Sequence, residues 1–387
     1  MIDQFLSTRP SSQILHLIVT TRDSQKGRDT VIRLEQHLKQ QWNPPHDILR
    51  KRLVFQPENV DLTSLTTIHA LSERLLITLP RLDAIILNAG IGSFTINYPA
   101  SIWQTLTDIR NAFVFPTYKI GNVGEVTELQ LIVEDSRQAV PPLGKVFCAN
   151  VFGHYLLVHQ VASLLRQGRV IWISSLEADP SALEPSDLQA ITSSKAYESS
   201  KRLTDALVLT SHLPSTQPSV SRFCSQGDET SETQKPIPQF VAHPAVCATS
   251  IIALPIIIQW AMLFMTYLAR LGGSTWSVVS PYKGACAPTW LALASDEELD
   301  NAQNDGPGKW GSAVDRWGNE KVVRTEVDGW GMRGLVEDAS RYPTSGRRPG
   351  ALHLTREARE GFEETGRECW REMEDLRVAW ETRMGWR

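Results

Sequence analysis

Short apolar runs rich in β-branched residues recur along this chain, each followed by a stretch of helical apolar spacing, and that alternation limits the fold most. Ile14-Leu15-His16-Leu17-Ile18-Val19-Thr20-Thr21 is the first run, and Val31, Ile32, Leu34 and Leu38 follow it at amphipathic spacing. Leu53-Val54-Phe55 precedes a helical stretch from Ser64 to Leu79, then Asp83-Ala84-Ile85-Ile86-Leu87 forms the next run. Arg169-Val170-Ile171-Trp172-Ile173 and Phe240-Val241-Ala242 continue the theme. Strands alternating with helices predict an α/β fold: a Rossmann-like, doubly wound parallel sheet covered on both faces. Ligands of such sheets sit beyond the carboxyl ends of the strands. The 387 residues exceed one domain of about 250, and composition turns polar after Asp296-Glu297-Glu298. The expected division is therefore a body over 1–295 and an extension over 296–387.

One stretch carries chemistry. Tyr197 and Lys201 lie four apart in a segment continued by Leu203, Ala206, Leu207 and Leu209, so they share one helix face. A cation beside a phenol favours the phenolate and draws its pKa from about 10 towards the working range. Alone, this pair also reads as a solvated helix face. Its surroundings are more telling: Asn88-Ala89-Gly90 ends one strand, Asn150 lies near the start of a helix, and Ser174-Ser175 ends another strand.

The order Asn-Ala-Gly, Asn, Ser-Ser, Tyr-x-x-x-Lys resembles the short-chain dehydrogenase/reductase family. The phrases Asn150 to Tyr155, Tyr197 to Leu203 and Ser280 to Pro288 are more specifically similar to the fungal 3-keto-steroid reductases of sterol C-4 demethylation. The resemblance implies an NADPH-dependent oxidoreductase of ergosterol biosynthesis. Its substrates would be 4-methyl or 4-demethyl 3-keto sterols, reduced to the 3β-alcohol. It implies that Tyr197 protonates the alkoxide, Lys201 lowers the tyrosine pKa and holds the nicotinamide ribose, and Ser175 bonds the carbonyl. Asn150 would hold a water link to Lys201, with Ser174 as structural partner of Ser175. On the cofactor side it implies Arg22, Asp61 beside the adenine, Asn88 near the ribose, Cys247, and Thr249 near the nicotinamide amide. A basic residue such as Arg22 after the first strand suits the 2′-phosphate of NADP, although a surface arginine is the plain alternative.

Several segments depart from the compact family. Residues 93–145 form a long insertion carrying Phe94, Tyr98, Trp103, Phe113, Phe115 and Tyr118. It reads either as a substrate-side or membrane-side excursion or as surface decoration. Residues 176–192 form a longer loop, 212–239 a polar loop, and 341–350 a linker. Ala245 stands where the family has glycine, so a turn needing positive φ there would be strained. From Pro244 to Ala269 there is no formal charge. That run suits a membrane-surface helix covering substrate better than a span, because Pro255 interrupts it; a buried core helix is the third option. Residues 355–384 predict an amphipathic helix with Phe362, Cys369, Trp370, Met373, Leu376 and Trp380 on one side, docking on the body or on a partner.

The Gly-rich turn that cradles pyrophosphate, and the strand before it, have no counterpart, since residues 1–10 already read as the last turns of a helix. In the strand order 3-2-1-4 the missing strand is central. Weak NADPH binding is therefore expected of the chain as written. It would be either a working reductase whose start lies further upstream or a non-catalytic homologue acting as scaffold in a sterol-synthesis complex. A net charge of -4 and the lack of a basic block speak against nucleic acid. Five cysteines without a C-x-x-C pair suit reduced thiols facing the cytosol, with no metal site. No basic region precedes an apolar core at the start, so no signal peptide is read. The resemblance places the protein at the cytosolic face of the endoplasmic reticulum or on lipid droplets, among other C-4 demethylation enzymes, and allows a homodimer.

Overall fold

Among the described residues nine strands form three sheets, and their connections are those of a doubly wound α/β fold. The computed structural model describes residues 1–41, 51–109, 111–130, 142–225, 236–247, 256–336 and 347–386. Thr249 lies outside them, as do parts of the insertion, of the polar loop, of the linker and of the uncharged run. Strands β1 (Leu15–Thr21) and β2 (Leu53–Asn59) pair in parallel. A five-stranded sheet runs in the order β3-β6-β7-β8-β9, from Ala84–Leu87, Arg169–Ile173, Gln239–His243, Lys309–Val314 and Glu320–Thr325. Its strands are parallel except β9, which turns back against β8. Strands β4 (Phe94–Ile96) and β5 (Lys119–Gly121) form an antiparallel ribbon within the insertion.

Among the described residues β1 bonds only β2, and β3 bonds only β6. Among these residues no strand bridges β1 and β3. The sheet also crosses residue 295: β8 pairs with β7 through Val241 and Lys309, so residues beyond the expected boundary complete the body.

Apolar periodicity accounts for the helices around the sheets. Helix Leu65–Thr78 turns Leu65, Ile68 and Leu71 inward with no exposure. Helices Gly153–Gln160 and Ala196–Thr210 are buried almost throughout. The terminal helix Arg356–Met384 starts where the Thr355 hydroxyl accepts from the Ala358 N–H (3.1 Å), and it stops at Gly385, whose φ of 69° a side chain would resist. Phe362, Cys369, Trp370, Met373 and Trp380 share its inner face and join the main core. It docks on the chain's own helices Ala196–Thr210 and Gln217–Cys224, which decides between body and partner.

That docking is polar as well as apolar. Glu374 accepts from the Tyr155 hydroxyl at 2.7 Å and from Arg377 at 2.9 and 2.7 Å, and Arg377 also contacts His159 and Glu381. A buried guanidinium needs such neutralisation, because an unpaired one would be strongly destabilising.

No helix of the described residues is long and apolar enough to cross a membrane. Helix Ile256–Leu271 instead lies on the surface, with Trp260 66 % and Phe264 62 % exposed, followed by Tyr267, Leu268 and Leu271 on the same side.

Candidate active site

The carboxyl ends of β6 and β7 lie against helix Ala196–Thr210, and four of the expected residues gather around its start. Tyr197 sits in that first turn, packed by Ile91, Val146, Ala190 and Ala196. The Ser175 hydroxyl, just past β6, lies within hydrogen-bonding reach of its phenol. One turn along, Lys201 is buried with its ammonium 5.7 Å from the centre of the Tyr197 ring. It donates to the Ile173 carbonyl at 2.8 Å, at the end of β6.

Asn150 comes from a π-helical turn, Cys148–Phe152, which widens the helix where its side chain must reach sideways. It grips the backbone of Ile91 in both directions, accepting from its N–H at 2.8 Å and donating to its carbonyl at 3.0 Å. It also donates to the Ser200 hydroxyl at 3.0 Å. Asn150 thus ties the Asn-Ala-Gly loop to the Tyr197 helix. Gly90 is needed for this contact, since a Cβ there would stand 2.8 Å from the Asn150 oxygen. Ser174 is buried and donates to the Lys201 carbonyl at 3.2 Å.

The protonation states differ from the sequence reading. The Tyr197 phenol is raised above its ordinary value, by burial first and then by the Glu177 carboxylate; the Ser175 contact opposes this and Glu198 adds to it. Lys201 was expected to lower it, but its ammonium is turned onto Ile173. Burial draws Lys201 itself down to about 8, with Lys309 adding and Asp205 opposing.

The cofactor side is more dispersed. Arg22 stands exposed at the carboxyl end of β1. The Asp23 carboxylate beside it accepts from the Gln25 N–H at 2.7 Å, so it is engaged in starting the next helix. Asp61 accepts from the Thr63 N–H and hydroxyl at 2.9 and 2.7 Å, shaping the loop after β2. Asn88 is exposed after β3. The Cys247 thiol is turned to the Pro244 carbonyl at 3.1 Å, and burial pushes it up to about 11.

Helix 145–160 holds two of these loops side by side: the Cys148 thiol donates to Leu62 O, and His154 bonds Ala89 O at 2.8 Å. The residues present therefore fit the two ends of a dinucleotide. Asn88, Lys201 and Tyr197 would hold its nicotinamide end, and Arg22 and Asp61 its adenine end.

Three groups escaped the sequence reading. Lys309, fully buried on β8, donates to the Ser175 carbonyl and to Asp205, both at 2.7 Å, and so fixes the backbone of the serine. Lys119, on β5, is chelated by Glu177 at 2.6 and 2.7 Å beside Tyr197. Only the position of Glu177, two residues after Ser175, offered a signal.

No protein-family model matches the chain. Curated relatives do. The 3-keto-steroid reductase erg27 of Aspergillus fumigatus is 44 % identical over 407 residues, covering 98 % of this chain and 90 % of that protein. The 3-keto-steroid reductase ERG27 of Gibberella zeae is 34 % identical over 435 residues, covering 100 % and 91 %. The 3-keto-steroid reductase erg27 of Schizosaccharomyces pombe is 31 % identical, covering 82 % and 81 %. Among solved structures, a 7α-hydroxysteroid dehydrogenase complexed with NADH and 7-oxo glycochenodeoxycholic acid aligns over 71 % of this chain and 76 % of its own, with 17 % identity and a TM-score of 0.39.

Proposed function

The chain belongs to the 3-keto-steroid reductases of the short-chain dehydrogenase/reductase family, and from that premise we propose that it reduces the C3 ketone of 4-methyl or 4-demethyl sterol intermediates to the 3β-alcohol with NADPH. The observation that carries this reading is the meeting of Ser175, Tyr197 and buried Lys201 at the carboxyl end of β6. A reduced nicotinamide, when bound, supplies hydride to the carbonyl carbon. Tyr197 gives its proton to the carbonyl oxygen as negative charge grows there, and a phenol held protonated by burial is ready to donate. Ser175 donates to the same oxygen, and both contacts strengthen towards the transition state. Lys201 places positive charge beneath the phenolate that remains. Asn150 keeps the Asn-Ala-Gly loop against the Tyr197 helix. Arg22 selects the 2′-phosphate.

The exposed apolar faces suit a substrate dissolved in lipid. Trp260, Phe264 and Leu271 on one helix, with Ile102, Trp103 and Leu106 on helix Tyr98–Thr107 of the insertion, are largely exposed. They support peripheral attachment to the endoplasmic reticulum or to lipid droplets, near other sterol-synthesis enzymes. The terminal helix covers helix Ala196–Thr210, so a homodimer would need another face.

The test follows NADPH consumption and 3β-hydroxysterol formation by the purified chain, with NADPH-dependent thermal stabilisation alongside. Tyr197→Phe should lower kcat by about 10²–10⁴-fold at unchanged stability. Arg22→Ala should lower kcat/KM for NADPH and spare NADH. Turnover retained by Tyr197→Phe would overturn the reading. Failure of NADPH to stabilise the chain would favour the scaffold, whose supporting observation is the interrupted sheet.

A further inference from the structure

The insertion ribbon is part of the catalytic surroundings. Its strand β5 is pinned to the loop before Tyr197: the Gly121 N–H donates to the Ser194 carbonyl at 3.0 Å, and a Cβ on Gly121 would stand 2.2 Å from that oxygen. So anchored, β5 delivers the Lys119 ammonium between two rings, 4.4 Å from the centre of Phe94 and 5.8 Å from that of Tyr197. The rings meet edge to face at 6.3 Å. Both oxygens of Glu177 hold the ammonium, at 2.6 and 2.7 Å, and the Glu177 N–H donates to the Ser175 hydroxyl at 3.2 Å. The pair is largely buried, with side-chain exposures of 11 and 17 %.

We infer that Lys119 and Glu177 are a positioning pair for Tyr197, in which the insertion supplies a cation that offsets the carboxylate facing the phenol and orients the loop of Ser175. The inference rests on Tyr197 being the proton donor. Glu177 alone would oppose the phenolate, as like charges do, and its bidentate partner Lys119 offsets part of that field. The other charged groups around the phenol are Glu198 and Lys201 on its own helix, with Lys195 just before it near Asp179. Lys145, next to Val146 in the packing around Tyr197, acts on Glu125.

The reverse reaction reads this most directly. When the 3β-alcohol is oxidised, the hydroxyl proton passes to the Tyr197 phenolate and the C3 hydride to NADP⁺, so kcat rises with pH as the phenol ionises. Lys119→Met leaves Glu177 uncompensated and should move that limb upward by about one pH unit. Glu177→Gln should move it downward. The double variant should return near the parent, and Lys119→Arg should restore the limb. A uniform fall in kcat with an unmoved limb in both single variants would overturn the inference. Tyr197→Phe separates the two readings. If it kills turnover while the limb stays fixed in the pair variants, only the inference fails. If it keeps turnover, the proton-donor reading fails and takes the inference with it. Should Lys119→Met not fold, Glu177→Gln and Lys119→Arg decide in the same way.

Discussion

The two sides of the interrupted sheet are built differently. On the β3–β9 side, Val170, Ile171, Val241 and Ala242 are wholly excluded from solvent, and Trp172 nearly so. On the β1–β2 side only Leu53 is buried among the strand residues, and Leu15, Leu17, Ile18 and Val19 are half-buried. Central strands of a parallel sheet are normally covered on both faces. The first side has a second layer in the terminal helix; the second leans on helices Ile2–Thr8 and Ser24–Gln41 and on Leu293 from the body. The residues proposed for proton transfer thus sit in the dense half, and those proposed for the adenine side in the loose one. On that proposal the catalytic geometry is preorganised by the dense half, and cofactor affinity depends on how well the loose half is held.

Truncations of matched residues would sharpen this contrast most. Trp370 has no exposure, donates to the Leu207 carbonyl at 2.9 Å and packs against Tyr155 and Phe223. Trp370→Ala should remove about 3–5 kcal/mol, as expected of a large buried aromatic. Leu17→Ala, on half-buried β1, should remove less than about 2 kcal/mol, below the range of a full core truncation. Urea unfolding followed by hydrogen exchange measures both. Equal losses would mean that the halves unfold as one unit and would break the comparison.

Acid should act next most strongly, and on one half. Burial pulls His154 down to about 4, its bond to Ala89 opposing and Lys201 adding. His243, buried beside Lys309, is likewise held well below the usual imidazole value. A neutral buried histidine stabilises the fold above its unfolded pKa near 6.5. That contribution is lost as pH falls from there towards 4, because the unfolded chain takes up the proton first. For His154 the loss is on the order of 2–3 kcal/mol. Among its described residues the β1–β2 half has the exposed His16 and the half-buried His37, which pairs with Asp3 at 3.1 Å. Exchange protection should therefore fall between neutral pH and pH 4 in the β3–β9 half first. His154→Gln should flatten that dependence, and an unaltered profile would remove His154 as its source.

What the sequence disclosed follows the range of its signals. Helix Arg356–Met384 and the Tyr197–Lys201 face were legible because a helical repeat is written in neighbouring residues. The order of Asn88, Asn150, Ser175 and Tyr197 announced the site through a family pattern. Strand β9 was not legible: Glu-Lys-Val-Val-Arg-Thr is a half-exposed edge strand whose pairing with β8 supplies the missing cue. Lys119 and Glu177 are 58 residues apart, and no local periodicity reports a contact made by folding an insertion back. The Tyr197 environment went the other way for the same reason, since its pKa is raised first by burial in the fold and then by Glu177, which comes from outside its helix. Thr249 lies outside the described residues.

Ala245 offers the smallest effect. The sequence reading made it a strained turn residue, and it does adopt a φ of 57°, in the region that disfavours a Cβ. Its N–H donates to His243 Nδ1 at 3.1 Å, which holds the turn, and its methyl packs in the small cluster of Val114, Trp276 and Ala313. Ala245→Gly relieves about 1 kcal/mol of backbone strain. It gives back part of that gain through a freer unfolded chain and a lost methyl contact, so the net gain should be about 0.5 kcal/mol. A rise in Tm of about 1–2 °C, with added exchange protection confined to β7 and its neighbours, is the expected result. A fall in Tm would mean that the methyl contact outweighs the strain, and the turn at the edge of the dense half would then be held by packing alone.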